Sequence, residues 1–347
     1  MGGRIRREMA GVLGIVLTAL TIAAPSAPVF AIGQSAGEIR EALVAQIALE
    51  TGDYRVSVRE LGGENRAIEI DSDQSMEPAS SIKLFYAWLA LRKVDDGSIT
   101  LSRRLPSGQT WGRCLRVMIE MSDNLCSADI REALGNRKVN RALANAGFGG
   151  TRVVLDSNGT YAGKRSSAAD FTEFMARLEA GTLLSVESTS RLHELLRNQI
   201  WRARIAGGTP TGVVVESKPG VLQVGDGLVG TDAAIVRGVN STYAISIMGD
   251  RGATKSAFRR LSQIVYEGLQ GVSDYVAATY PRQQYTVSAG TAFRESYGGS
   301  AIRLDSVRNV TLYGTSRLDA YVRIHGLGMG WVSVTRLTLR DAYRWMG

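Results

Sequence analysis

The chain has 347 residues, a formal net charge of +8 and 44% hydrophobic residues. This length allows a sizeable core and exceeds the roughly 100–200 residues of an ordinary domain. The basic residues are scattered rather than clustered, so we expect no nucleic-acid partner. The two histidines, His193 and His325, lie far apart without a neighbouring ligand pattern, so we expect no metal, and nothing indicates a cofactor.

The first 31 residues have the pattern of a secretory signal peptide. Three arginines precede an apolar run at 9–24, and the small-residue pattern Val29-Phe30-Ala31 follows. This order predicts cleavage after Ala31 and a secreted, extracellular or cell-wall-associated protein. The alternative is an uncleaved membrane anchor, but the run is short for a span of about 20 residues. Loss of three arginines and one glutamate would lower the net charge from +8 to +6.

The next elements are an amphipathic helix at 35–49 and a hairpin of two strands at 54–61 and 66–70. A Gly-x-Ser-x-Gly match occupies 33–37. Such a match forms a nucleophile elbow only between a strand and a helix, and here the signal peptide precedes it. We therefore assign it no catalytic role.

A turn at Pro78 leads into a strongly apolar helix that extends to residue 92. Ser80 and Lys83 stand three residues apart at its start, so their side chains lie on the same helix face. The unpaired N–H groups of a helix terminus suit a developing anion. A nucleophile, a base and part of an oxyanion hole therefore fall within four residues. The alternative is that Ser80 is only a helix cap.

Helices predicted at 111–121 and 125–134 flank the polar break Ser122-Asp123-Asn124. The break places these side chains at a corner, although a simple capping turn is the alternative. Cys114 and Cys126 lie on the two flanking helices. They are the only cysteines of a chain that we expect to be exported, so we predict that they form a disulfide bracing the corner. The alternative is two buried free thiols.

The remaining pattern up to residue 271 places helices in the middle and strands at both ends. This arrangement predicts an α+β fold with one antiparallel sheet built from both chain ends and a helical region inserted. Helices are expected at 137–146, 166–178, 188–200 and 254–269, and strands at 211–217, 233–239 and 242–248.

Three motifs carry a resemblance to a known family. Ser80-Ser81-Ile82-Lys83, Ser122-Asp123-Asn124 and Lys218-Pro219-Gly220 resemble, in order and separation, the S-x-x-K, S-D-N and K-T-G motifs of class A β-lactamases and penicillin-binding proteins. The match covers residues 35–271. It implies a β-lactamase/transpeptidase-like domain over this range.

The resemblance also implies roles for the matched positions. Ser80 would be the acylated nucleophile, Lys83 its base or proton relay, and Ser122 the proton shuttle to the leaving group. Lys218 would supply positive charge, and Asn124 would hold a substrate amide. The backbone beside Gly220 would bind substrate, with the N–H groups of Ser80 and Val221 forming the oxyanion hole. Two neighbouring ammonium groups depress each other's pKa, which suits a lysine base.

Two departures from the family pattern bear on the substrate. Pro219 stands where the family has Thr or Ser, so the hydroxyl that meets a substrate carboxylate is missing. The loop 157–166 contains no Glu, and only Asp156 is acidic nearby. In class A β-lactamases a Glu in this loop activates the deacylating water. We therefore expect an acyl-enzyme formed with a β-lactam to persist.

From residue 285 the pattern changes to short alternating runs separated by glycine-rich turns, after a linker at 272–284. The run at 330–337 resembles the close of bacterial SH3-like domains. This resemblance implies a small all-β barrel at 285–347; an unrelated β-rich tail is the alternative. The aromatic residues that would line its peptide groove, or form its core, are Tyr297, Tyr313, Tyr321 and Trp331.

These features predict an exported serine hydrolase that acts on cell-wall peptide amides, as a D,D-peptidase does. One alternative is a true class A β-lactamase, and another is a non-catalytic cell-wall-binding protein that kept the fold. The expected partners are a wall peptide or a β-lactam as substrate, with wall binding through the SH3-like domain.

Overall fold

The structure is a computed structural model and describes residues 33–278, 280, 284–316 and 319–339. The predicted signal peptide and its cleavage site lie outside the described residues. Within the described ranges, the helices are too short or too polar to cross a membrane.

The main body, residues 33–271, has eight helices and eight strands among the described residues. In chain order they are α1 (Ala36–Ile47), β1 (Asp53–Glu60), β2 (Ala67–Ile70), α2 (Lys83–Asp95), α3 (Trp111–Glu120), α4 (Asn124–Leu134), α5 (Asn136–Asn145), β3 (Arg152–Leu155), β4 (Tyr161–Arg165), α6 (Ala168–Glu179), α7 (Val186–Arg197), β5 (Val214–Ser217), β6 (Gly220–Val224), β7 (Gly227–Arg237), β8 (Thr242–Asp250) and α8 (Lys255–Gln270).

One antiparallel sheet unites the two ends of this body. Its strand order is β2-β1-β8-β7-β5, and β6 pairs with β7. The N-terminal strand β1 pairs with β8 from Asp53 opposite Asp250 to Glu60 opposite Tyr243. The predicted α+β arrangement, with both chain ends in one sheet and a helical region between them, is confirmed.

The sheet is covered on both faces because alternate residues of a strand point to opposite sides. Val56 and Val58 of β1 pack in one buried cluster with residues of α1 and α8, such as Leu43 and Leu261. Residues of the opposite face, including Ile235 of β7, join the larger cluster of the helical region. The helical region therefore packs on one face of the sheet, and α1 and α8 pack on the other.

Helix α2 is the centre of the helical region. Nine of its residues, from Lys83 to Leu91, are buried. Phe85 contacts the rings of Phe148, Phe171 and Phe174, with centroids 5.0–5.4 Å apart. A helix that is apolar on most sides is buried in this way, as its sequence predicts. Aromatic packing therefore holds α2 inside the helical region.

The sequence did not predict the strands β4 and β6. The residues of β4 are exposed or half-buried, and three successive residues of β6, Val221 to Gln223, are exposed. Neither strand has the two-residue alternation that marks a half-buried strand. The loop expected after Asp156 is therefore a hairpin of β3 and β4, and β7 begins at Gly227 rather than at residue 233.

The C-terminal β-unit, within 284–339, forms an antiparallel five-stranded sheet of order β14-β13-β12-β9-β15 and a small β10-β11 pair. Short strands after residue 284 are present as predicted, and the SH3-like barrel stays a prediction. The strands are β9 (Gln284–Val287), β10 (Ala292–Phe293), β11 (Ile302–Arg303), β12 (Arg308–Ser316), β13 (Asp319–Ile324), β14 (Gly328–Ser333) and β15 (Leu337–Leu339).

Candidate active site

Ser80 lies in a 3₁₀ turn, Ala79–Ile82, which leads directly into α2. The expected first α-helical turn is therefore a tighter turn, and the α-helix itself begins at Lys83. Ala79 has φ of +46°, a conformation that costs free energy for a residue with a side chain. Backbone strain of this kind beside a half-buried serine is typical of a functional turn.

Lys83 is buried, with only 3% of its surface exposed. Its Nζ lies 3.1 Å from Ser80 Oγ and 2.7 Å from Asn124 Oδ1. It also lies 2.6 Å from the Ser122 carbonyl oxygen and 3.3 Å from Ser122 Oγ. One amine therefore joins residues of the first two motifs.

The corner between α3 and α4 presents Ser122 with φ of +63°. Asp123 caps α4, because its Oδ1 accepts the Cys126 N–H at 2.7 Å. The corner is thus both a cap and a presenting turn. The predicted disulfide between Cys114 and Cys126 is confirmed, with Cα atoms 4.9 Å apart.

Lys218 follows β5 and is fully buried. Its Nζ donates to Ser122 Oγ at 2.9 Å and to the Pro219 carbonyl oxygen at 3.1 Å. Its own carbonyl oxygen accepts a hydrogen bond from Ser81 Oγ at 2.7 Å, and Ser81 Oγ lies 2.8 Å from Thr231 Oγ1. The Ser80 turn and the Lys218 segment are therefore held together by side chains.

Gly220 allows the closest approach between these two segments. A Cβ atom at this position would lie 2.5 Å from both Ser80 N and Thr231 Oγ1. No side chain fits there, so glycine is required by the packing. The next residue, Val221, lines the same cavity as Ser80. This brings the two backbone segments expected to form the oxyanion hole to one cavity.

Burial is the main cause of the lysine pKa shifts. It lowers the pKa of Lys83 to about 7, although the Asp123 carboxylate opposes the shift and the Lys164 charge adds to it. Burial, and then the Lys83 charge, lower the pKa of Lys218 well below its ordinary value. The repulsion between the two lysines that the sequence predicted contributes to the Lys218 shift but is not among the main causes for Lys83. Desolvation is the larger effect for both because charge is costly away from water.

A cavity of about 580 Å³ opens beside Ser80. Ser122, Gly220 and Val221 line it, whereas Asn124 is held against Lys83. Among the described residues that line it, none carries a carboxylate. Its other lining residues are Ile200, Trp201, Arg202, Ala203, Arg204, Gly207, Pro219, Lys255, Arg259, Ala277, Ala278, Tyr280 and Leu312.

A sequence comparison decides the family of this site. The model of a family described as the β-lactamase enzyme family matches residues 38–269, which is more than half of the chain. The chain belongs to the β-lactamase enzyme family. The three motifs that meet at this cavity are thus parts of a β-lactamase-like serine hydrolase.

Solved structures share the fold of this family member. PBP-A is 20% identical, covers 70% of this chain and 100% of its own, and has a TM-score of 0.61. An ancestral class A β-lactamase (GNCA) is 20% identical, covering 66% and 99%, with a TM-score of 0.59. A class A β-lactamase from Bacteroides cellulosilyticus DSM 14838 is 16% identical, covering 69% and 100%, with a TM-score of 0.60. No curated protein is significantly similar to the chain.

The region after Asp156 differs from what the β-lactamase resemblance implies. The exposed Asp156 carboxylate accepts the N–H groups of Asn158 and Thr160 at 2.9 and 2.8 Å, so it caps the turn of the β3-β4 hairpin. Glu77, three residues before the serine, is the carboxylate at the site's edge. It accepts the Ala79 N–H at 3.0 Å and pairs with Lys164 of β4 at 3.2 Å.

Sequence reasoning missed this Glu77–Lys164 pair and the Thr231 contact, because each joins elements far apart in the chain. It also missed a cluster of His193, Glu179 and Glu216 at another cavity. His193 Nδ1 lies 2.5 Å from Glu216 Oε2, and Arg237 bonds both carboxylates. Arg197 also pairs with Glu216, so two arginines face the two carboxylates and the cluster is an ion-pair network.

Proposed function

We propose that this chain is an exported serine hydrolase that acts through an acyl-enzyme on Ser80, with cell-wall peptide amides as substrate. The observation that carries the proposal is the buried Lys83, whose Nζ lies 3.1 Å from Ser80 Oγ. Ser122 and Lys218 continue the hydrogen-bonded path from this amine. Nucleophile, base and proton path are therefore within reach of one another.

Acylation uses Lys83, the two backbone N–H groups and Ser122 in turn. Neutral Lys83 takes the proton of Ser80 as Oγ attacks the carbonyl carbon of the amide. The oxyanion forms between the Ser80 and Val221 N–H groups. The C–N bond then breaks, and the proton that Lys83 took from Ser80 passes through Ser122 Oγ, 3.3 Å from Lys83 Nζ, to the leaving nitrogen, so Lys83 is neutral again. Lys218 Nζ holds Ser122 Oγ at 2.9 Å during this transfer. The products of this step are a free amine and a Ser80 ester.

Deacylation favours a peptide over a β-lactam as substrate. Water must lose a proton as it attacks the ester, and a well-placed general base contributes about 10²–10⁴-fold. The 157–166 segment has no Glu, so Lys83 is the base at hand. The amine of a peptide departs and clears the cavity, whereas the nitrogen of an opened β-lactam stays tethered to the ester.

Two further observations support the wall peptide as substrate. The Cys114–Cys126 disulfide supports an oxidising compartment and so export. In the C-terminal β-unit, Tyr297 and Tyr321 each pack on Trp331 with ring centroids 5.0 Å apart. We propose that this unit is SH3-like and that these aromatic rings bind the wall.

Intact-mass spectrometry after exposure to benzylpenicillin tests the proposal. We expect one covalent adduct on the mature protein, none on Ser80→Ala and almost none on Lys83→Ala. Ser75 is an exposed serine five residues before Ser80. Its variant Ser75→Ala is the matched control and should form the same adduct as the wild type. Unchanged labelling of Ser80→Ala would end the serine-hydrolase mechanism, and a wild type without label would favour the non-catalytic wall-binding protein.

The second candidate, a true β-lactamase, is favoured by the family match itself. PBP-A shares the fold of this chain, and a mutant of PBP-A has a solved structure as an acyl-enzyme complex with penicillin G. The decay of the adduct separates the two candidates. We expect an ester that persists on Ser80, together with hydrolysis of wall peptides; rapid repeated hydrolysis of benzylpenicillin would instead identify a β-lactamase.

A further inference from the structure

The cavity beside Ser80 has a wall that the family match does not include. Ala277, Ala278, Tyr280 and Leu312 line it, and all four follow residue 269, where the match ends. The chain after the catalytic body therefore forms part of the wall of the cavity into which a substrate enters.

The first part of this wall is fixed to the catalytic body by backbone bonds. Ala277 forms an antiparallel bridge with Pro210, and the Ala278 N–H donates to the Thr209 carbonyl oxygen at 2.8 Å. Tyr275 donates its hydroxyl to the Gly208 carbonyl oxygen. Residues 208–210 lie shortly before β5, which ends at Ser217, next to Lys218. The wall is thus anchored to the segment that carries the third motif.

The second part of the wall comes from the C-terminal β-unit. Leu312 of β12 is 3% exposed and reaches the cavity. The 3₁₀ turn Val334–Arg336 packs on α3, and Arg116 of α3 lies 3.5 Å from the Leu337 carbonyl oxygen. The C-terminal β-unit therefore lines the cavity with Leu312 and also contacts α3, the helix that leads to the Ser122 corner.

The wall faces apolar and cationic neighbours. Ile200 and Trp201 line the same cavity as Leu312, and Lys255 and Arg259 of α8 line it too. A cavity with this lining accepts a substrate in which an apolar group of limited size lies next to a negatively charged group.

We propose that Ala277, Ala278, Tyr280 and Leu312 form a specificity wall, which limits the size of the substrate group beside the scissile bond. The inference rests on the proposed acylation of Ser80 and concerns which amides reach it. Leu312 sets the depth of the wall because its side chain is the large aliphatic one contributed by the C-terminal β-unit. A change of one or more methylene groups in an apolar pocket alters discrimination by about 10–200-fold.

The test compares acylation of Ser80 by the penicillin nucleus, which has no acyl side chain, and by penicillins whose acyl side chains differ in size. Second-order acylation rate constants are measured with 6-aminopenicillanic acid, benzylpenicillin and the bulkier nafcillin. For Leu312→Trp we expect the nafcillin to 6-aminopenicillanic acid ratio to fall at least about tenfold, and for Leu312→Ala we expect it to rise. The matched control is Leu327, a half-exposed leucine of the same β-unit outside the cavity, changed to Trp and to Ala.

The two Leu312 variants change the ratio in opposite directions, which a general loss of folding cannot do. An unchanged ratio in Leu312→Ala, with Ser80 still acylated, would overturn the specificity wall and leave the proposed function intact. Equal changes in the Leu327 variants would also overturn it. A wild type that no penicillin acylates would contradict the proposed function, and the wall with it.

Discussion

A lysine that acts as a base must be partly unprotonated near neutral pH, whereas the amine of a lysine in water is almost fully protonated there. For Lys83 the conflict is resolved by burial, which lowers its pKa to about 7. Three oxygen atoms, from Ser80, Ser122 and Asn124, surround the amine at 2.6–3.1 Å. The lysine is therefore aimed at Ser80 without being neutralised by a direct carboxylate contact.

The first prediction concerns the pH dependence of acylation. Only neutral Lys83 can take the serine proton, so the acylation rate constant should be half-maximal near the Lys83 pKa of about 7. Below that pH the neutral fraction falls about tenfold per pH unit, and the rate falls with it. Stopped-flow acylation by benzylpenicillin from about pH 5 to about pH 9 measures this. A flat profile would contradict Lys83 as the base.

Pro219 gives the second prediction. A threonine there supplies a hydroxyl at the cavity, and a hydrogen bond to a charged group contributes about 1.5–3 kcal/mol. We expect Pro219→Thr to raise the acylation rate constant for benzylpenicillin about tenfold or more. Pro219→Ala is the control, because it removes the ring without adding the hydroxyl. Equal rates for the two variants would mean that a hydroxyl at position 219 does not contact the carboxylate of the substrate.

At the scale of elements, the β3-β4 hairpin occupies the chain position from which the resemblance implied a catalytic loop. Its end pairs with the segment before Ser80, since Met76 and Ser166 exchange backbone hydrogen bonds at 2.9 and 3.0 Å. Lys164 holds Glu77, and Glu77 holds the N–H of the strained Ala79. The hairpin therefore braces the nucleophile turn and brings a positive charge towards Lys83.

The third prediction removes that charge. Lys164 lowers the pKa of Lys83, so Lys164→Met should raise this pKa and move the midpoint of the acylation profile to higher pH. The midpoint rather than the maximal rate is the readout, because loss of the Lys164–Glu77 pair also loosens the nucleophile turn. Arg152→Met on the exposed side of the same hairpin is the control. An unmoved midpoint would show that the hairpin acts only as a brace.

The fourth prediction concerns the disulfide that joins α3 to α4. Its sequence separation is 12 residues, and closing a loop of this size contributes about 3 kcal/mol in the chain-entropy model. The double variant Cys114→Ala with Cys126→Ala should therefore lose about 2–4 kcal/mol of unfolding free energy in urea. The reduced wild type provides the comparison without a change in side-chain volume. A loss below about 1 kcal/mol would mean that the packed corner needs no bracing.

The sequence predicted the elements that have strong periodicity and the residues whose contacts are local. Ser80 and Lys83 are three residues apart, so their contact followed from local spacing. Cys114 and Cys126 are the only two cysteines and flank one turn, so the disulfide followed from cysteine count and position. The strand β6 and the Glu77–Lys164 pair did not, because nothing local reports an exposed strand or a contact across 87 positions of sequence. The full burial of Lys218 could not be predicted from the sequence either, because it depends on the assembled sheet.

At the scale of the whole molecule, the charge of the chain and the charge of the site have the same sign. The formal net charge is +8. The cavity beside Ser80 is lined by Arg202, Arg204, Lys255 and Arg259, and no described lining residue carries a carboxylate. Charge concentrated at a cleft raises the encounter rate of oppositely charged ligands, and salt weakens the effect. The molecule should therefore favour anionic substrates before any contact is made.

The fifth prediction follows from this field. Raising the ionic strength from about 0.01 M to about 0.15 M shortens the screening length from about 30 Å to about 8 Å. The acylation rate constant should fall more for the dianion carbenicillin than for the zwitterion ampicillin. In the double variant Lys255→Gln with Arg259→Gln this difference should shrink.

The matched control for the fifth prediction removes the same amount of charge from another surface. Lys138 and Arg141 are exposed on α5 and do not line the cavity, so changing both to Gln keeps the net charge equal in the two double variants. If the field is local to the cleft, only the α8 variant loses the salt dependence, because exposed charges beyond a screening length contribute little. Equal losses in both would assign the effect to total charge, and no salt dependence in the wild type would remove electrostatic attraction from the account of substrate choice.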